Sequence, residues 1–218
     1  NEDAKKFNPH KLFLSSNIYN KQKKGKWTPS NELTGKNIVI LGPGQNAKKN
    51  KNKLIKFIKN KNLYVIVLNA IDYMPERFIN LRAICHPKSI IYNYRHFNKT
   101  NTSIVAPISS MPQKLKNFLT ADNKVIFDYG LHVNGKKKII INKNYCSLPK
   151  PLTSLYSLAI TISAKAKKVY VAGFDGYSND DPFSDETDYY LKKFLKNFNS
   201  IKFTSLTKSK YNFPSLIL

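Results

Sequence analysis

Arginine is nearly missing from this sequence: Arg77, Arg82 and Arg95 are the only three among 37 basic residues, and the other 34 are lysine. Proteins that read nucleic acid favour the guanidinium fork for bases and phosphates, so nucleic acid is not the expected partner. Cysteine is scarce as well. Cys85 and Cys146 make neither a disulfide framework nor a zinc set, and are expected to be reduced structural thiols. No run approaches the roughly 20 apolar residues that cross a bilayer, and the polar start Asn1 to Lys6 has no signal-peptide core, so a soluble cytoplasmic protein is expected. Acidic residues number only 13, which leaves a net charge of +24 and a pI near 9.9. Lysine and asparagine (25 residues) both have A-rich codons, so an AT-rich genome accounts for much of that excess. A field this positive still attracts anionic ligands, acidic glycans or an anionic membrane surface in a salt-dependent way.

What is present suffices for a core: 41% of 218 residues are hydrophobic, which excludes disorder as a description of the whole. The chain starts at Asn1 without Met, as expected of a piece of a longer protein, and residues 1–35 are expected to be an extension or linker from an upstream domain. Residues 36–218 are expected to form the main domain. Asn37 to Leu41 is a short β-branched run ending in Gly42-Pro43-Gly44; Lys48 to Lys61 has helical periodicity with a basic outer face; Tyr64 to Leu68 is a second apolar run. Strand, glycine turn, helix and strand within about thirty residues make a right-handed βαβ unit. Further strands are expected at Ser89 to Tyr92, Ser103 to Ala106, Lys124 to Tyr129, Lys138 to Asn142 (an edge), Lys168 to Gly173 and Ile201 to Leu206. Helices are expected at Pro112 to Leu119, at Asp188 to Phe198, and at the weakly charged Leu152 to Lys167, which must lie under the sheet. This alternation predicts a three-layer α/β/α Rossmann-like domain with a mainly parallel sheet and a ligand site at the carboxyl ends of its strands.

Three loops should meet there: Gly42 to Asn46, Asn69 to Asp72 and Gly173 to Tyr177. Gly42 and Gly44 permit close backbone approach and the next helix offers N–H groups to phosphate, but the same residues also suit a tight βα turn without a ligand. The third glycine and the acid of a dinucleotide fingerprint are missing, as is the Gly-Lys-Ser/Thr of a Walker loop. Asn69 is fit to read a ribose or base edge, or to cap its loop. Thr153 and Ser154 either cap a helix or bind an anion there. Asp175 and Tyr177 end a central strand, where the carboxylate could hold the loop and the phenol could meet a phosphate. The acidic stretch Asn179 to Glu186 offers a general base, a divalent-ion site such as Mg²⁺, or simply a solvated helix start. Of four histidines only His86, in Cys85-His86-Pro87, falls near the expected mouth.

Leu152-Thr153-Ser154 through Gly173-Phe174-Asp175-Gly176-Tyr177 resembles the bacterial sialyltransferases of glycosyltransferase family 42, in which a Thr-Ser-Gly helix start precedes a strand ending Gly-x-Asp-x-Tyr. Ile38 to Gly44 resembles that family's glycine turn, and Val67-Leu68-Asn69 its Cys-Asn strand end. The likeness spans roughly residues 37 to 190. A closer likeness, through Trp27, Gly35-Lys36, the Gly-Pro-Gly turn and Ala172 to Tyr177, is to the C-terminal region attached to aldolase-like proteins of polysaccharide clusters, so a fused or associated aldolase-like domain is implied. The resemblance implies a GT-A-variant, sialyltransferase-like fold and a CMP-sugar donor bordered by Asn46, Asn69, Thr153, Ser154 and Tyr177. It implies no cofactor of its own, and transfer of a nonulosonic acid or Kdo-like sugar to a glycan or lipid-linked acceptor of lipopolysaccharide or capsule type.

Two departures bear on this. No histidine follows His132, whereas the family's catalytic His comes late, so Glu186, Asp185 or His86 is the expected base. Pro43 stands where the family's turn has Asn. Two other readings stay open. The chain also resembles, in its glycine turn and late Gly-x-Asp loop, the family of pterin diphosphokinases and motility-associated factors, which implies pyrophosphate transfer from ATP with Mg²⁺. A non-catalytic nucleotide- or glycan-binding module is the third.

Overall fold

The computed structural model describes residues 18–19, 24–120, 124–135, 138–178, 184–198 and 201–218. The strands among them are β1 Asn37–Leu41, β2 Tyr64–Leu68, β3 Leu81–Ala83, β4 Ile104–Ala106, β5 Ile126–Asp128, β6 Gly130–Val133, β7 Ile140–Ile141, β8 Tyr145–Leu148, β9 Lys168–Ala172 and β10 Phe203–Ser205. The helices are α1 Ser30–Leu33, α2 Gln45–Lys49, α3 Lys51–Lys61, α4 Pro87–Asn98, α5 Gln113–Thr120, α6 Thr153–Ser163 and α7 Ser184–Asn197. Seven strands form one sheet in the order β10-β9-β1-β2-β3-β4-β5, with every pairing parallel. β1 and β2 are buried on both faces, as their unbroken apolar runs require. From β1 the chain steps outward to β5, then returns to add β9 and β10 on the other side. Right-handed crossovers in these two directions put α3, α4 and α5 on one face and α6 and α7 on the other, which is the expected α/β/α architecture.

A small sheet, β6-β8-β7, stands beside this frame, with β6 parallel and β7 antiparallel to β8. Lys138 to Asn142, expected as an edge, supplies only the two-residue edge strand β7. Tyr129 anchors the small sheet to the main core: its hydroxyl donates to the carbonyls of Asn142 and Tyr145 at 2.9 and 3.0 Å, and its own carbonyl accepts from the Tyr156 hydroxyl on α6. Burial holds both phenols well above the ordinary tyrosine range. α6 is buried along nearly its whole length, as its composition demands. Trp27 packs on Phe127 with ring centroids 4.7 Å apart, and its indole N–H donates to Glu32 at 2.9 Å.

Local expectations failed where short-range signals competed. Ser89 to Tyr92 lies inside α4, not in a strand. Pro87 occupies the first turn, the His86 imidazole caps it, and Ile90, Ile91 and Phe97 are buried at helical spacing. The single helix expected over 48–61 breaks at Asn50 into α2 and α3. β4, β5 and β10 fall inside expected strands, whereas β3, β6 and β8 were not expected, because their three or four residues include Arg82, Gly130, His132 and Ser147 and form no distinct apolar run.

Candidate functional site

The reversal of strand order falls between β1 and β9, and the two loops leaving those strands interlock. Gly42 N–H donates to the Ala172 carbonyl at 2.7 Å, and Gly44 N–H to that of Gly173 at 3.0 Å. A Cβ on Gly42 would lie 2.5 Å from the Gly173 carbonyl oxygen, and Gly173 itself has φ +72°. The Asp175 carboxylate sits at the start of α2, where Oδ2 accepts Asn46 N–H at 2.8 Å. Gly44 leaves room for it, since a Cβ there would be 2.4 Å from Asp175 Cγ. Asp175 Oδ1 is buried and has no hydrogen-bond partner among the described residues. The space opened by these glycines is thus filled by the chain's own carboxylate, which takes the N–H that a phosphate would have used.

Beside this interlock lies a cleft of about 460 Å³ lined by the glycine turn, Leu68, Asn69, His86, Ser89, the segment Pro151 to Ser154, the loop Gly173 to Tyr177, and Thr187, Leu191 and Tyr211. The structure therefore brings Gly42, Gly44, Asn69, His86, Thr153, Ser154, Asp175 and Tyr177 together. Asn46, Asp185 and Glu186 are not among the cleft-lining residues. Asn46 directs its amide to the Lys208 carbonyl at 3.3 Å, Glu186 pairs with Lys150 at 2.9 Å, and Asp185 is exposed. Asn179 to Phe183, with Asp180 and Asp181, lie outside the described residues.

Asn69 follows β2 in a left-handed conformation, φ 53°. Behind it Arg82, fully buried, donates through Nη1 to the carbonyls of Asn69 and Ile71 at 3.2 and 3.0 Å and is salt-bridged to Glu76. The Asn69 side-chain oxygen accepts from the Thr153 hydroxyl at 3.3 Å. That bond uses the hydroxyl of the first α6 residue, and no side chain caps this helix. The first N–H groups of a long buried helix thus open beside Asn69, a setting that favours an anion. Cys85 lies beneath, its thiol 3.3 Å from the Pro151 carbonyl and pushed up to about 12 by burial.

His86 Nδ1 accepts Lys88 N–H at 3.2 Å, which leaves the ring proton on Nε2. Burial and then the neighbouring Lys88 charge hold its pKa below the ordinary histidine value, so the ring is neutral at pH 7. Tyr177 is 41% exposed on the rim, whereas Tyr211 is buried in the wall. Burial, with Tyr177 and Asp188 nearby, holds the Tyr211 phenol above its ordinary range. The segment bearing Tyr211 is sewn to the rim. Lys210 donates its N–H to the Asp175 carbonyl at 3.1 Å and its Nζ to that of Tyr177 at 2.8 Å, while Thr207 Oγ1 accepts Gly173 N–H at 3.0 Å. Tyr211, Thr187 and Leu191 escaped the sequence reading because no local pattern marks them. Only the alternation that fixes β10 beside β9 could have placed Tyr211 near this edge.

No family model matches the sequence, and neither does any curated protein. Among solved structures, the chain is similar to the MAf glycosyltransferase from Magnetospirillum magneticum AMB-1, at a TM-score of 0.58 and 9% identity. The match covers 96% of this chain and 38% of that one. The likeness is one of fold, and the chain spans well under half the length of that neighbour.

Proposed function

We propose that this chain is the nucleotide-sugar-binding domain of a glycosyltransferase, moving a nonulosonic acid or Kdo-like sugar from a CMP-activated donor to a surface glycan acceptor. The observation that carries the reading is the uncapped N-terminus of α6, opening into the β1/β9 cleft beside Asn69. One helix end suits the single phosphate of a nucleoside monophosphate. The second anion position that a diphosphate would use, at the glycine turn, is held by Asp175. In this reading the α6 N–H groups and the Tyr177 phenol stabilise the departing CMP phosphate as charge develops on it, and Asn69 reads the nucleoside. The fold of the MAf glycosyltransferase supports glycosyl transfer as the reaction class.

A second reading, a binding module serving a fused catalytic domain, is favoured by the placement of the three candidate bases. Glu186 is paired with Lys150, Asp185 stands outside the cleft, and the His86 Nδ1 lone pair is used as a helix cap. A thermal-shift panel of CMP, CDP, UDP, GDP, ATP and phosphate, with and without Mg²⁺, separates these. Occupancy at a hundredfold Kd stabilises by about 2.7 kcal/mol. Selective stabilisation by CMP, lost in Asn69→Ala and reduced in Tyr177→Phe, supports the donor site, and turnover of a CMP-sugar then divides enzyme from module. Selective stabilisation by ATP with Mg²⁺ replaces the proposal with pyrophosphate transfer.

A further inference from the structure

The lysines are not spread evenly. From Leu33 to Ile71 there is no acidic residue and there are eight lysines, and most of them fall on α2 and α3. Lys48, Lys49, Lys53, Lys56, Lys59 and Lys61 are all exposed, and among the described residues none is paired with a carboxylate. Residues 77–121 and 129–174 lack acid too, but lysine is densest on α2 and α3, where it makes up seven of the fourteen residues from Lys48 to Lys61; α7, by contrast, carries Asp185, Glu186 and Asp188 with its lysines, and pairs Lys192 with Asp188 at 2.6 Å. α3 turns its apolar side inward. Leu54 and Ile58 are buried, and Phe57 stands edge-on to Tyr170 at 5.2 Å. The outer face is left with lysine and asparagine only. The start of α2 is tied to the cleft wall, because the Asn46 N–H donates to the cleft-lining Asp175 and its side-chain amide to the Lys208 carbonyl.

We propose that this α2–α3 face docks the domain on an anionic lipid bilayer, with the cleft beside the surface. Lysine point charges suit the smeared negative potential of a lipid surface. The face holds no arginine fork and no exposed aromatic ring for stacking bases, features a nucleic-acid surface would use. It has no apolar side chain to insert, so the attachment is electrostatic and reversible by salt. The inference does not depend on the donor-site reading.

The test is co-sedimentation of the whole chain with vesicles of phosphatidylcholine alone or with phosphatidylglycerol added. The patch variant Lys49→Gln/Lys53→Gln/Lys56→Gln/Lys61→Gln is compared with a charge-matched control, Lys114→Gln/Lys143→Gln/Lys167→Gln/Lys196→Gln, drawn from exposed lysines elsewhere. Melting curves establish that both variants fold. The expected result is binding to phosphatidylglycerol vesicles only, lost between about 50 and about 500 mM salt, and weakened at least about tenfold in the patch variant but less than about threefold in the control. Equal weakening in both variants, binding no better than to phosphatidylcholine, or tighter binding to a labelled DNA duplex than to vesicles overturns the proposal.

Discussion

Gly44→Ala tests whether the Asp175 carboxylate is seated under the glycine turn. Gly44 has φ −60° and ψ 144°, a backbone that alanine adopts freely, so the effect is steric and not torsional. The new Cβ would lie 2.4 Å from Asp175 Cγ, 2.5 Å from Oδ1 and 2.6 Å from the Gly173 carbonyl oxygen. Relieving this contact pushes the carboxylate off Asn46 N–H, a hydrogen bond to a charged group that contributes about 1.5–3 kcal/mol. Overpacking adds about 1–3 kcal/mol. The smaller entropy of the unfolded alanine chain returns about 0.4–1 kcal/mol. The net expectation is a loss of about 3 kcal/mol, or roughly 6–12 °C in Tm for a chain of this size, read from urea and thermal unfolding followed by circular dichroism. The cycle with Asp175→Ala isolates the contact. In that background Gly44→Ala should cost about 1–2 kcal/mol, because only the overpacking against the Gly173 carbonyl remains. Wild-type stability in Gly44→Ala, or the same cost with and without the carboxylate, would refute the seating.

Three more outcomes are expected. Arg82→Met leaves the Asn69 and Ile71 carbonyls without this donor and Glu76 without its cation, with only the Thr102 hydroxyl, among the described residues, still donating to it; it should cost about 3 kcal/mol in urea unfolding and, on the donor-site proposal, weaken CMP binding, since the left-handed Asn69 loses its clamp. His86 and His96 both have folded pKa values below the unfolded one, each chiefly through burial; the unfolded state binds more protons, so stability should be full above about pH 6.5 and fall as pH drops below it. His86→Asn keeps a capping oxygen and should flatten part of that slope in stability measured against pH. Finally, burial raises both cysteine thiols, so Ellman's reagent at about pH 8 should react with the native protein on the order of a thousandfold more slowly than with the unfolded chain.

The sheet was legible wherever a strand is long and doubly buried. Asn37 to Leu41, Tyr64 to Leu68 and Lys168 to Gly173 are unbroken apolar runs ending in turn residues, and they are β1, β2 and β9. α6 was legible because only a helix under the sheet can have so little charge. Among the shorter strands β4, β5 and β10 were also legible as brief apolar runs, whereas Leu81–Ala83, Gly130–Val133 and Tyr145–Leu148 were not, and Ile90–Ile91 imitates a strand inside α4. In the site, residues next to strong turn signals were placed together: Gly42, Gly44, Asn69, Thr153, Asp175 and Tyr177. The purpose of the glycines was not readable, because it depends on two loops from positions about 130 residues apart in the chain meeting backbone to backbone. Tyr211 and Thr187 reach the cleft through packing alone, and local sequence does not encode that.

The pairing of β1 with β9 joins Asn37 to Lys168, and that separation governs how the molecule assembles. β1 to β5 can add to one another in chain order, each step closing a modest loop. During that time β1 exposes an open edge with unpaired N–H and C=O groups, a template for pairing with another chain. Only when β9 arrives, carrying β10 with it, does β1 become interior. A topology so dominated by non-local contacts folds slowly, and the interlocked turns and the cleft beside them are among the last parts to form. If the cleft holds the proposed donor, nucleotide binding reports completed folding, and a kinetic refolding experiment should recover it after most of the secondary structure.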